Sequence, residues 1–188
     1  MSELMTNPLD ALTYATAAHA AIGHMRKYTE DPYIVHPIRV AGIVRDYGGT
    51  YRQYSLSQRR LDDMISAAYL HDVVEDTCIT ILNIETTFGS AIAAIVDGLT
   101  DISVPDDGNR ATRKAMDRKH SAEATYEAQF VKCADIIDNA SDIGEHDPSF
   151  NVVYCKEMVA LLEVLDKVKG TPIYLAAKRA TTAMNLRA

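Results

Sequence analysis

Residues 61–76 read LDDMISAAYLHDVVED. Leu61, Met64, Ile65 and Ala68 recur at spacings of three and four, the period of one buried helical face. The spacing predicts a helix from about Ser57 to Asp76. Continued along the same stripe, the next positions are His71, Asp72 and Glu75, so ionisable side chains stand where core residues should follow. Burying unpaired charge is expensive, and a cation would satisfy all three. His71 and Glu75 lie four apart, as do Asp72 and Asp76, so the cluster projects as one patch from one helical turn. A lone His-Asp pair in a sequence is usually without meaning; the run HDVVED on a buried stripe is far more specific. One imidazole and one carboxylate reach the same ion, and acids a turn later reach its water, an arrangement a hydrolase needs.

Two further ligands are expected elsewhere. His36 directly precedes Pro37, a proline suited to a helix start. Asp135 lies in FVKCADIIDN, beside the apolar positions Phe130, Val131, Ala134 and Ile137. Alone, such a histidine reads as a capping or core residue, and such a carboxylate as a surface group. Together with HDVVED they form the order H…HD…D. Mixed imidazole and carboxylate donors suit a first-row divalent ion better than calcium, which prefers oxygen shells.

The rest of the chain reads as helix almost throughout. Asn7 before Pro8 is an N-cap with proline at the first helical position, opening an alanine-rich helix to about Lys27. Val40, Ile43, Val44 and Tyr47 mark the next helix, which Gly48-Gly49 is expected to end. Short helices follow at Thr80–Phe88, stopped by Gly89, and from Ser90 to about Thr100. DISVPDDGN is a loop, and the helical pattern resumes at Arg110, breaks weakly near His120-Ser121 and runs on through Asn139. GEHDPS reads as a second loop. Two final helices follow, one ending near Lys169-Gly170 and one opening at Pro172. No internal repeat, low-complexity tract or linker divides the 188 residues. The expectation is one all-α domain, a single compact helical bundle over residues 1–188, long enough to bury a core unaided.

Composition narrows the partners. A net charge of −7 disfavours nucleic acid, although a small phosphorylated ligand needs only a few local cations or a metal. Three widely spaced cysteines, with no C-x-x-C pair, point to a reducing compartment. The N-terminus lacks the features of a signal peptide, and no apolar run approaches the roughly 18 residues of a spanning helix. A cytoplasmic location without membrane attachment is therefore expected. Oligomeric state is not readable.

The order His36…His71-Asp72…Asp135 resembles the HD superfamily of metal-dependent phosphohydrolases. More narrowly, the chain resembles the hydrolase domain of the RelA/SpoT alarmone enzymes and the free-standing small alarmone hydrolases of the MESH type. The segments that carry the resemblance are AH at 18–19, RK at 26–27, PYIVHP at 32–37, AAYLHDVVEDT at 67–77, FG at 88–89, GLTD at 98–101 and VKCAD at 131–135, with Asn139 four residues later.

The resemblance implies an HD-type helical bundle and manganese-dependent removal of the 3′-pyrophosphate from guanosine tetra- or pentaphosphate. His36, His71, Asp72 and Asp135 would hold one divalent ion, Mn2+. Glu75 and Asp76 would orient and deprotonate the attacking water, while Arg26, Lys27, Asn139 and Tyr154 would contact the nucleotide.

Two positions depart from the family pattern. Ile136 stands where a basic residue usually follows the last metal aspartate, and Ser141 replaces an arginine. Arg110, Arg113, Lys114 and Arg118 share a helix face that reads either as compensation or as a solvated basic surface. The alternatives are an HD phosphohydrolase of another nucleotide, such as a nucleotide phosphatase or an NADPH-type phosphatase, and a non-catalytic nucleotide-binding module. The six intact ligand and acid positions weigh against the last.

Overall fold

The computed structural model describes residues 4–51 and 56–185. All of its regular elements are helical; the nearest approach to a sheet, among the described residues, is an isolated bridge between Met25 and Pro32. Contacts divide the chain into two compact units, residues 1–100 and 101–188.

The first unit is built around helix α3, Gln58–Leu70, which packs against α1 (Pro8–Ala21), α2 (Val35–Tyr51) and α6 (Ser90–Asp97). Its predicted stripe is real: Leu61, Met64, Ile65 and Ala68 are all buried. Full burial of side chains the size of Leu61, Met64 and Ile65 stabilises by about 1.5–3 kcal/mol each. Ser57 caps the helix by accepting from the Arg60 N–H. Between α3 and α6 lie α4 (Val73–Asp76) and α5 (Ile81–Phe88), the latter opened by a capping box between Thr80 and Asn83.

Three boundaries in this first unit differ from the sequence expectation, each for a local reason. Helix α1 stops at Ala21, not near Lys27. Gly23 takes φ +64°, and the N–H groups of Gly23 and His24 close back on the carbonyls of Ala20 and His19 in a Schellman turn. Helix α2 runs through Gly48-Gly49 to Tyr51. Gly48 marks close packing instead of a helix end, since a Cβ there would collide with the Leu61 side chain. Most consequential for the site, α3 ends at Leu70. The His71 ring Nδ1 bonds the Ala68 carbonyl at 2.9 Å, the acceptor a continuing helix would offer to the Asp72 N–H. Asp72 relaxes to φ −96°, ψ −4°, and a separate short turn, α4, follows.

The second unit comprises α7 (Arg110–Glu123), α8 (Tyr126–His146), α9 (Pro148–Val164) and α10 (Pro172–Asn185). Helix α8 is its centre and packs on the other three. The expected loop GEHDPS is mostly helix. Helix α8 continues through His146, and Asp147 caps α9 by accepting from the Phe150 N–H. Buried Gln129 ties the ends together, donating to the Ser121 and Ala122 carbonyls and accepting from the Lys167 N–H. Asp117 does the same for the loop before α7, accepting from the Ile102 and Ser103 N–H groups and the Ser103 hydroxyl.

Candidate metal centre

His36, in the first turn of α2, and His71, at the end of α3, are each 1% exposed. Their Nε2 atoms face each other at 3.2 Å. Asp72 Oδ2 lies 2.9 Å from His71 Nε2 and 3.6 Å from His36 Nε2. The Ala68 carbonyl can only accept, so His71 Nδ1 carries a proton, and Nε2 is the ring nitrogen left to face the site, holding either a proton toward Asp72 or a cation in its place. Three possible ligand atoms thus converge, both Nε2 atoms and Asp72 Oδ2. Ligand–ion bonds of about 2.1 Å across these separations subtend angles of roughly 90–120°, the range of ordinary coordination geometries. The donor set therefore fits a first-row divalent ion.

Tyr33 supports this trio: its hydroxyl donates to Asp72 Oδ2 at 2.6 Å. Burial opposes ionisation of Asp72, but the charge and hydrogen bond of His71, the charge of His36 and the Tyr33 hydrogen bond outweigh it. The carboxyl is held well below the usual range and stays an anion.

The helix break after Leu70 redirects the acids one turn later. Glu75 and Asp76 face solvent instead of prolonging the core stripe, which corrects the expectation that Glu75 follows His71 into the interior. Partial burial and the neighbouring Asp72 charge raise the Asp76 pKa, against the pull of His24, His71 and a Tyr33 hydrogen bond. Asp76 Oδ2 is 3.6 Å from His24 Nδ1. His24 in turn stacks on Tyr33, ring centroids 3.8 Å apart and 10° from parallel. Arg26 and Lys27 sit in the following turn, which the Arg26 N–H closes on the Asp31 carbonyl at 2.8 Å. The Arg26 guanidinium lies 5.8 Å from the Tyr33 ring centroid. Tyr33, His19 and His24 stand outside the H…HD…D order. The clue was available: three of the chain's six histidines, His19, His24 and His36, crowd into its first 36 residues.

In the second unit, Asp135 is half-buried on α8, and Asn139, one turn on, donates its amide to Asp135 Oδ1 at 2.6 Å. Lys132 Nζ lies 3.6 Å from Asp135 Oδ2. Tyr154 is buried on α9, and that burial keeps its phenol protonated well beyond the ordinary range. Ile136 is wholly buried and Ser141 exposed. The isoleucine is therefore a core residue of its helix. The basic face of α7 is partly spoken for. Arg110 makes a two-pronged pair with Glu157 at 2.6 and 2.9 Å, and Lys114 meets Asp101 at 2.5 Å.

A family model described as "HD domain" matches residues 11–159. The chain belongs to the HD-domain family. Among its relatives, this HD domain is 34% identical over 143 residues to a zebrafish (Danio rerio) protein named guanosine-3′,5′-bis(diphosphate) 3′-pyrophosphohydrolase MESH1; the match covers 73% of this chain and 72% of the relative. It is 42% identical over 93 residues to a probable guanosine-3′,5′-bis(diphosphate) 3′-pyrophosphohydrolase of Synechocystis, covering half of this chain but a tenth of that much longer protein. Among solved structures, a metazoan SpoT orthologue described as hydrolysing ppGpp superimposes with a TM-score of 0.72 at 25% identity over 99% of both chains. A Listeria monocytogenes protein shares the fold at 22% identity and a TM-score of 0.61. Among the described residues, no helix of this HD domain is long and apolar enough to cross a membrane.

Proposed function

We propose that this HD domain is a metal-dependent phosphohydrolase that removes the 3′-pyrophosphate from guanosine tetra- or pentaphosphate. The observation that carries the reading is the convergence of His36 Nε2, His71 Nε2 and Asp72 Oδ2 on one buried point. Asp135 would be the fourth ligand, on the strength of the H…HD…D order, and Mn2+ the ion. When bound, the ion would act as a Lewis acid and make water a better nucleophile at neutral pH. His36, His71, Asp72 and Asp135 would hold it. Glu75 would accept the proton of the attacking water, and Asp76 would orient that water. Arg26 would grip phosphate through its planar fork, with Lys27 as a point charge and Asn139 and Tyr154 as further nucleotide contacts. The names borne by the zebrafish and Synechocystis relatives support the substrate.

One observation favours a second reading, an HD phosphohydrolase of another nucleotide. Ile136 is a core residue where the family pattern has a cation, and Arg110 and Lys114 are already paired with Glu157 and Asp101. Incubating the Mn2+-loaded protein with the alarmone and separating the products decides between them. Intact pyrophosphate with GDP supports the first reading. Orthophosphate, or no turnover while another nucleotide is consumed, supports the second.

A further inference from the structure

We infer that His19, His24 and Asp76 form a second divalent-cation site, of the zinc-binding type, distinct from the His36–His71–Asp72 centre. The three side chains come from three separate places. His19 ends the buried stripe Ala11–Ala15–His19 of α1, His24 follows the Schellman turn and Asp76 closes α4. His19 Nδ1 faces His24 Nδ1 at 3.3 Å, and His24 Nδ1 lies 3.6 Å from Asp76 Oδ2. One ligand atom from each residue fits within 4.8 Å of the other two. With ligand bonds of about 2.1 Å, the two measured separations correspond to angles of roughly 105° and 120° at a common ion, close to tetrahedral.

His19 makes a purely structural reading hard to sustain. It is 1% exposed, and among the described residues its Nδ1 meets only another imidazole nitrogen. Buried histidines nearly always satisfy their ring nitrogens on carbonyls, carboxylates or water. Two Nδ1 atoms at this distance share at most one proton. A cation in its place takes both lone pairs and the Asp76 charge at once.

Access and support are also present. The His24 and Asp76 side chains are 27% and 31% exposed, leaving an entry path and room for solvent to complete the shell. Tyr33 stacks flat on His24, and its N–H bonds the His24 carbonyl at 3.1 Å, so the ring is oriented before an ion arrives. An ion held here would tie the turn that carries Arg26 and Lys27 to the end of α4. Two nitrogens and one carboxylate oxygen suit Zn2+ or a similar first-row ion better than Mg2+ or Ca2+.

The test is a count of bound Zn2+ on metal-free protein titrated to saturation, with far-ultraviolet circular dichroism to check folding. Wild type should hold two ions per chain. Folded His24→Gln should hold one, the second weakened by roughly 100-fold, and Asp76→Asn should weaken the same ion. His71→Ala should lose the other ion and keep this one, so failure of the hydrolase centre and failure of this site read out separately. The exposed thiol Cys78, two residues beyond Asp76, is a rival ligand, and Cys78→Ser should still hold two ions. A single ion in saturated wild type, two in His24→Gln, or loss of one in Cys78→Ser would overturn the assignment.

Discussion

His36 and His71, thirty-five residues apart in sequence, point their Nε2 atoms at each other across 3.2 Å of buried space. Hydrogen bonding of His71 Nδ1 to the Ala68 carbonyl fixes which ring nitrogen is left to bind. The pair is thus oriented for a cation by the end of α3 itself.

His71→Ala should therefore lower the metal content of that centre to below about a tenth of an ion under conditions that saturate wild type. Removing an inner ligand weakens a site directly, whereas a histidine that only packs would leave metal content unchanged. Metal analysis after dialysis against a weak chelator measures this. Retention of the ion would show that His71 is not a ligand.

Glu75 is exposed, one turn after His71 and Asp72 in sequence, which suits a proton acceptor better than a ligand. Glu75→Gln keeps shape and removes basicity. Metal content should be unchanged while kcat drops on the order of 100-fold or more. A kcat within a few-fold of wild type would take the role away from Glu75.

Arg26 reaches solvent from the turn after His24 and would bind phosphate without transferring a proton. Arg26→Ala should raise KM about tenfold and lower kcat far less. Steady-state kinetics with the alarmone and Mn2+ separates the two constants. A fall in kcat alone would mean that Arg26 acts on the transition state.

The thiols offer a check on the packing. Cys133 and Cys155 are buried and Cys78 exposed, so one thiol per folded chain should react rapidly with an aromatic disulfide reagent, and three after unfolding. Burial pushes the Cys133 thiol up to about 12 from an ordinary value of 9.0. The folded state thus keeps a proton that the unfolded chain releases above pH 9. The contribution to stability is full below that value and is lost as pH rises toward 12. Cys133→Ala should flatten the alkaline limb of a stability–pH curve.

Gly48→Ala should destabilise by about 1 kcal/mol. Replacing glycine inside a helix ordinarily gains up to about 1 kcal/mol, but here the new methyl meets buried Leu61, and overpacking costs about 1–3 kcal/mol. In a Leu61→Ala background the same change should become neutral or stabilising. Denaturant titration of the four proteins gives the coupling.

The sequence by itself determined the helical class, the buried stripe of α3 and the adjacency of an imidazole and a carboxylate at its end, His71-Asp72. Those properties are periodic or local: a spacing of three and four, a cap, and an imidazole beside a carboxylate are all written within a few residues. Only the tertiary structure decided that HDVVED is not one continuous helix, because the competitor for the Ala68 carbonyl is a side chain whose rotamer depends on its surroundings. That break turns Glu75 and Asp76 outward. It likewise took the fold to make Gly48 a contact instead of a stop, since its reason is a leucine on another helix. The meeting of His19, His24 and Asp76 was illegible for the same cause. Their separations in sequence follow no period, and they converge only because α1, the Schellman turn and α4 are brought together around α3 and Tyr33.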